Sequence, residues 1–187
     1  MKKLLFFIVS LALFTACEPK IDELQVDKGS ANFTTVVAVG NSMMAGYTDG
    51  ALYNSGQKNS IPNLIAGQLQ LAGAGKFVQP MVNSEFGVLY PGAKPKYVLG
   101  YPTDCMGKTT LGPVLSDGTI EPLAPVGYPV HNLGIPGAKS FHMLVNGYAA
   151  FNPFYYRLAT NPANAPIQEI APLNPTFFTL WLGDNDV

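Results

Sequence analysis

"VVAVGNSMMAGYTDG", Val36 to Gly50, gives the chain its first fixed point. Val36, Val37, Ala38 and Val39 extend a β-branched run that begins at Phe33 and is bounded by Asn32 and Gly40, the pattern of a buried strand rather than a helix. Gly40, Asn41 and Ser42 then turn the chain. A serine in that place has two readings: a cap on the helix that follows, or a hydroxyl exposed where strand meets helix, available as a nucleophile. The residue order differs from the Gly-x-Ser-x-Gly elbow of α/β-hydrolases, so this motif alone does not decide between them.

Working outward, "TFFTLWLG" at Thr176–Gly183 predicts a second core strand. Between the two strands, Ser60 can cap a helix with Ile61 and Pro62 in its first turn. Ile61, Leu64, Ile65, Gln68, Leu69 and Ala72 recur there at helical spacing, and the helix ends near residues 73–75. Asn152 before Pro153 opens another helix, "NPFYYRLAT", and Pro166 to Ile170 allows a short one. Strands separated by helical stretches predict an α/β fold with a parallel sheet and right-handed crossovers. From Lys76 to Val130 glycine and proline recur every few residues; this segment reads as an insertion of hairpins or extended loops over the domain, with "SDGT" at Ser116–Thr119 as its clearest turn.

The 187 residues carry a net charge of −1, 12% charged and 48% hydrophobic side chains. No basic field or aromatic-basic interleaving points to nucleic acid. Lys2 and Lys3, the apolar run Leu4–Ala16 and the small residues before Cys17 predict a secretion signal over residues 1–16. That ending resembles a bacterial lipobox, with Phe14 where leucine is usual. The resemblance implies a thiol at Cys17 that is acylated and anchors the chain in the bacterial cell envelope, at the outer membrane. Residues 17–32 would then be a tether, and Cys105 would be left as a lone thiol, so that the core must hold the domain without a disulfide.

Three polar segments follow apolar strand-like runs: "GNS", "NLGIPG" (Asn132–Gly137) and "GDND" (Gly183–Asp186). Ligand sites of parallel sheets gather beyond the carboxyl ends of the strands, which is where these segments would meet. "GNSMMAGY", "NLGIPGA" and "LGDND" resemble, in order, the first three sequence blocks of the SGNH (GDSL-type) hydrolases. The longer stretch "VAVGNSMMAGYTDGALYNSGQKNSIPNLIAGQL" looks especially like the large lipoproteins of that family from Bacteroidetes-type bacteria, where Asn often replaces the Asp of Gly-Asp-Ser. The resemblance covers residues 33–187 apart from the insertion. It implies a flavodoxin-like three-layer fold, Ser42 as nucleophile, and oxyanion donors at the Gly137 N–H and the Asn185 side-chain amide. No cofactor is implied, and Asp184 and Asp186 read as a solvated loop aspartate and a turn aspartate rather than an acid pair or metal ligands.

The fourth block of that family, an Asp-x-x-His that supplies base and orienting acid, has no counterpart here. His131 and His142 lack an aspartate three residues upstream and read as packing or surface residues. The expectation is therefore the N-terminal part of a longer ester hydrolase, whose missing C-terminal segment completes both the sheet and the site. Its substrate would be a lipid ester or an acylated sugar, with Tyr47, Tyr53 and Tyr90 as pocket candidates. The alternative is a lipid-anchored envelope protein that binds a glycan or acyl ligand without catalysis.

Overall fold

The computed structural model describes residues 26–187; the signal segment, Cys17 and most of the tether lie outside the described residues. No helix among the described residues is long and apolar enough to cross a membrane. Strand β1 (Val36–Gly40) is buried along its whole length, as a β-branched run covered on both faces must be. It starts later than the apolar run, and Phe33 packs edge-on against Phe177 instead, 5.1 Å between ring centroids. After one further residue comes helix α1 (Ser42–Ala45), then a tight hairpin of β2 (Tyr47–Thr48) and β3 (Ala51–Leu52). Helix α2 (Asn54–Lys58) was not expected from the sequence.

Helix α3 (Ile61–Leu71) stands where the helical spacing places it. Ser60 occupies the N-cap position, but its hydroxyl accepts from Gln79 Nε2 at 3.2 Å and caps nothing. The pre-set backbone of Pro62 in the first turn marks the start instead.

The 76–130 segment holds β4 (Val88–Leu89), β5 (Tyr97–Gly100), β6 (Gly112–Leu115) and β7 (Glu121–Pro122). Strands β5 and β6 form an antiparallel hairpin and β4 pairs with β7 in parallel. The hairpin does not turn at Ser116–Thr119. It turns after Thr103, where one carboxylate oxygen of Asp104 accepts the N–H groups of Met106 and Lys108, both at 2.9 Å. "SDGT" is an extended connection, with the Phe86 ring lying where any side chain on Gly118 would stand.

Nor does this segment simply lie over the domain. Val82, Val88 and Val130 belong to the main core. Residues 80–82 are pinned to it by two buried polar side chains. Gln57 donates to the Pro80 carbonyl and accepts from Val82 N, each at 2.7 Å, while the Arg157 guanidinium donates to the carbonyls of Pro80 (2.9 Å) and Met81 (2.6 Å). The β5–β6 hairpin is the most continuously exposed part of the segment, with Leu99, Tyr101 and Met106 exposed.

Strand β8 (Asn132–Gly134) leads into two 3-10 turns, Ser140–Leu144 and Tyr148–Ala150. Helix α4 (Pro153–Leu158) begins in cap-then-proline order, with Asn152 Oδ1 accepting from Tyr155 N at 3.0 Å. Helix α5 (Pro166–Ile170), a 3-10 turn and β9 (Phe177–Trp181) complete the described chain.

The architecture is mixed α/β, a three-stranded parallel sheet in the order β8-β1-β9 flanked by helices. β1 is the central strand, and both its neighbours come from much later in the sequence. β9 is as apolar as a central strand, yet among the described residues it pairs only with β1, and Phe178 and Leu180 remain 63% and 60% exposed. On this strand the Thr179 hydroxyl is buried with no hydrogen-bond partner. A partnerless buried hydroxyl costs more than an apolar group of the same shape, so Thr179→Val is expected to stabilise the fold by about 1 kcal/mol. Thermal unfolding checks this: a rise in Tm of roughly 3 °C is the expected result, and a fall would show that the hydroxyl has a partner.

Candidate functional site

The carboxyl ends of β1, β8 and β9 lie side by side, with Gly40 level with both Gly134 and Trp181. Each strand therefore delivers its following loop to the same edge of the sheet. From β1 the loop is Asn41–Ser42. Asn41 is fully buried, and its Oδ1 accepts from Met43 N at 3.0 Å while its backbone carbonyl accepts from Ala45 N. Asn41 is thus the N-cap of α1, and Ser42 is the first helical residue, partly exposed and not needed as a cap. The N–H of Ser42 has no partner among the described residues, as befits the first turn of a helix.

From β8 the loop is Ile135–Ala138. Ile135 N donates to the Gly40 carbonyl at 2.8 Å, and Ala138 N returns to the Ile135 carbonyl at 3.0 Å, closing a four-residue turn with Pro136 and Gly137 at its centre. Gly137 has φ 76°, the left-handed value that the third residue of a type II turn requires. The space where a Cβ on Gly137 would stand is open, its nearest neighbour being Asn152 Nδ2 at 4.0 Å. Backbone conformation, rather than crowding, is what demands glycine here.

From β9 the loop is Gly183–Asp186, and each of its three polar side chains reaches another loop. Asn41 Nδ2 donates to Asp184 in a short hydrogen bond. Asn185 Nδ2 donates to the Ala138 carbonyl at 2.9 Å. Asp186 accepts from Ser140 N at 2.8 Å and from the Ser140 hydroxyl, and these bonds hold its carboxyl below the ordinary aspartate range. Both aspartates are exposed, but each has a partner, and neither is simply solvated. Among the described residues, no group of three His, Cys, Asp or Glu side chains gathers closely enough to hold a metal ion.

The Asn41–Asp184 bond also accounts for an asparagine at 41. An aspartate there would set two carboxylates against each other, and one would have to hold a proton. The sequence did not reveal this pair, nor the part played by Asn132. That side chain, buried, donates to the Met44 carbonyl at 2.8 Å and so ties the end of α1 to β8.

Both histidines are engaged in packing. His131 precedes β8, at the opposite end of that strand from the Pro136–Gly137 turn; its Nδ1 accepts from Val78 N at 3.1 Å, and burial with nearby Lys76 holds its pKa down. His142 Nδ1 accepts from Lys139 N at 3.0 Å, and its ring stacks on Tyr148 with centroids 4.3 Å apart; burial and Lys139 lower its pKa too. Neither forms a hydrogen bond with Ser42 among the described residues.

Two cavities flank the loops. One of about 330 Å³ beside α1 is lined by Met43, Tyr47, Tyr53 and Ser60. Another of about 600 Å³ beside the second loop is lined by Tyr90, Pro136, Phe151 and Tyr156. Tyr47 and Tyr90 serve the core as well, both ring-packed on Phe154. Compared with known proteins, the chain matches no family model, no curated protein and no solved structure.

Proposed function

We propose that this chain carries the nucleophile and oxyanion donors of an SGNH-type serine ester hydrolase on a flavodoxin-like sheet. The observation that carries the reading is the meeting of three loops at one sheet edge, tied by the side chains of Asn41, Asn185 and Asp186, around a serine that has no capping duty. The strand order supports it as well. Numbered in chain order, the three strands of the sheet run second-first-third across it, the opening of the flavodoxin order 2-1-3-4-5, whose ligand site lies where the first and third strands part. Ser42 and Asn185 follow those two strands.

In this mechanism Ser42 Oγ attacks an ester carbonyl, and the carbonyl oxygen gains negative charge as the tetrahedral intermediate forms. The N–H groups of Ser42 and Gly137 and the Asn185 amide stabilise that charge. A general base takes the Ser42 proton and returns it to the departing alkoxide; water then releases the acyl group. The two histidines of this sequence are engaged elsewhere, so the base belongs to a segment outside the 187 residues, as the Asp-x-x-His of the resembled family would. Lipid esters and acylated sugars are the substrate classes, reached from an envelope membrane to which Cys17 anchors the chain.

The test is exposure of the protein, isolated from the cell that makes it, to a fluorophosphonate, followed by peptide mass mapping. An adduct on Ser42 is the expected result, because only an activated serine reacts at a useful rate. A folded protein without the adduct would instead favour a lipid-anchored binder of a glycan or acyl chain.

A further inference from the structure

Asn152 does more than cap α4. Its side chain is buried, 8% exposed, and every part of its amide is used. Oδ1 accepts from Tyr155 N at 3.0 Å, while Nδ2 donates to the Tyr148 hydroxyl and to the Pro136 carbonyl, each at 2.9 Å. The last bond matters because the Pro136 carbonyl and the Gly137 N–H belong to one peptide plane and point in opposite directions.

That plane is the central peptide of a turn with proline second and glycine third. Types I and II of such a turn differ mainly by a flip of this peptide, the second residue's ψ changing by roughly 150° and the third residue's φ by roughly 170°. Proline tolerates both forms in the second place and glycine tolerates both in the third, so the sequence of the turn does not choose between them. A donor fixed on the Pro136 carbonyl does choose. Gly137 at φ 76° is in the type II form, with its carbonyl partner held by Asn152.

We infer that Asn152 is a positioning residue: by clamping the Pro136 carbonyl it holds the Gly137 N–H turned toward the reacting oxygen. This rests on the proposed ester-hydrolase reading. The bond also polarises the peptide, making the N–H a better donor. With the clamp removed, the peptide is free to flip and the donor is lost for part of the time.

Asn152→Ser tests this, because serine caps helices as well as asparagine does but is too short to reach the Pro136 carbonyl. Tyr148→Phe is the companion variant, removing the other acceptor of Nδ2 while sparing the clamp. Fluorophosphonate inactivation of the full-length protein is measured for wild type and both variants, alongside thermal unfolding and the NMR signals of the Pro136 carbonyl carbon and the Gly137 amide. The expected result is a 10- to 100-fold lower maximal inactivation rate in Asn152→Ser with unchanged probe affinity. The Pro136 and Gly137 signals shift, the Tyr155 amide does not, and Tyr148→Phe behaves as wild type. Equal inactivation rates in wild type and Asn152→Ser would overturn the clamp while leaving the hydrolase reading intact. A rate lost only in proportion to unfolded protein would also overturn it, reducing Asn152 to a structural cap. A wild-type protein that never reacts would overturn both.

Discussion

Gly134→Ala is expected to lower the melting temperature by roughly 10 °C, a loss of about 3 kcal/mol, at the upper end of the usual cost of overpacking. A Cβ at 134 would stand 2.1 Å from Ala45 N and 2.5 Å from both Ala45 Cα and the Met44 carbonyl carbon. These are backbone atoms of α1, and they have nowhere to go. The helix lies directly across the end of β8, with Asn132 holding its Met44 carbonyl from below and the Asn41 cap fixing its start. The strain would therefore move α1 as a unit, and Ser42 with it. Gly67→Ala is the natural control: it lies on the exposed side of α3 with nothing within 4 Å of the added carbon, and replacing a mid-helix glycine gains up to about 1 kcal/mol. Thermal or urea unfolding reads both variants. A Gly134→Ala protein melting within 1 °C of wild type would mean that α1 is not seated on β8.

The parts of this fold that were legible in the sequence are those whose signal is local. A continuous β-branched run has few homes other than a strand covered on both faces, and β1 occupies one. Helices α3 and α4 announced themselves by spacing and by proline in the first turn. Helix α2 could not be read that way. Its "NSGQK" has no apolar period, and the helix is held by Gly56 lying against the Gly46 carbonyl, where a side-chain carbon would stand at 2.7 Å, and by Gln57 reaching the 80–82 segment. That segment, in turn, is fastened by Arg157, 77 residues further along the chain than Pro80 and out of reach of a local reading.

The candidate site divides in the same manner. Ser42, Gly137 and Asn185 lie in segments that each follow a strand-like run, and the strands do end together, but their roles came only from the resemblance to a family. What holds their loops in place was not legible. Asn41 and Asp184 lie 143 residues apart, and no pattern in either neighbourhood predicts that they share a hydrogen bond. Asn152 carried a clear cap signal that its position bears out, and the same signal concealed the second task of its amide. Residues doing two jobs are read from sequence by the commoner one.

Asn185→Ala is expected to slow fluorophosphonate labelling of Ser42 by roughly 100- to 1000-fold while leaving stability nearly unchanged. A side-chain amide has two N–H bonds. In Asn185 one is spent on the Ala138 carbonyl at 2.9 Å, which fixes the plane of the amide and leaves the second free to meet a developing oxyanion. Removal of one such donor typically costs about 3 to 4 kcal/mol in the transition state. Loss of the Ala138 bond at this partly buried position costs the fold only about 1 kcal/mol. The two effects therefore separate when labelling rate and Tm are measured on the same sample. Asn185→Asp sharpens the comparison, since a carboxylate cannot donate to Ala138 and would repel the oxyanion it faces. It should label no faster than the alanine variant despite its closer shape. Wild-type labelling in Asn185→Ala would remove the amide from the oxyanion site and leave only the Ser42 and Gly137 N–H groups to stabilise the charge.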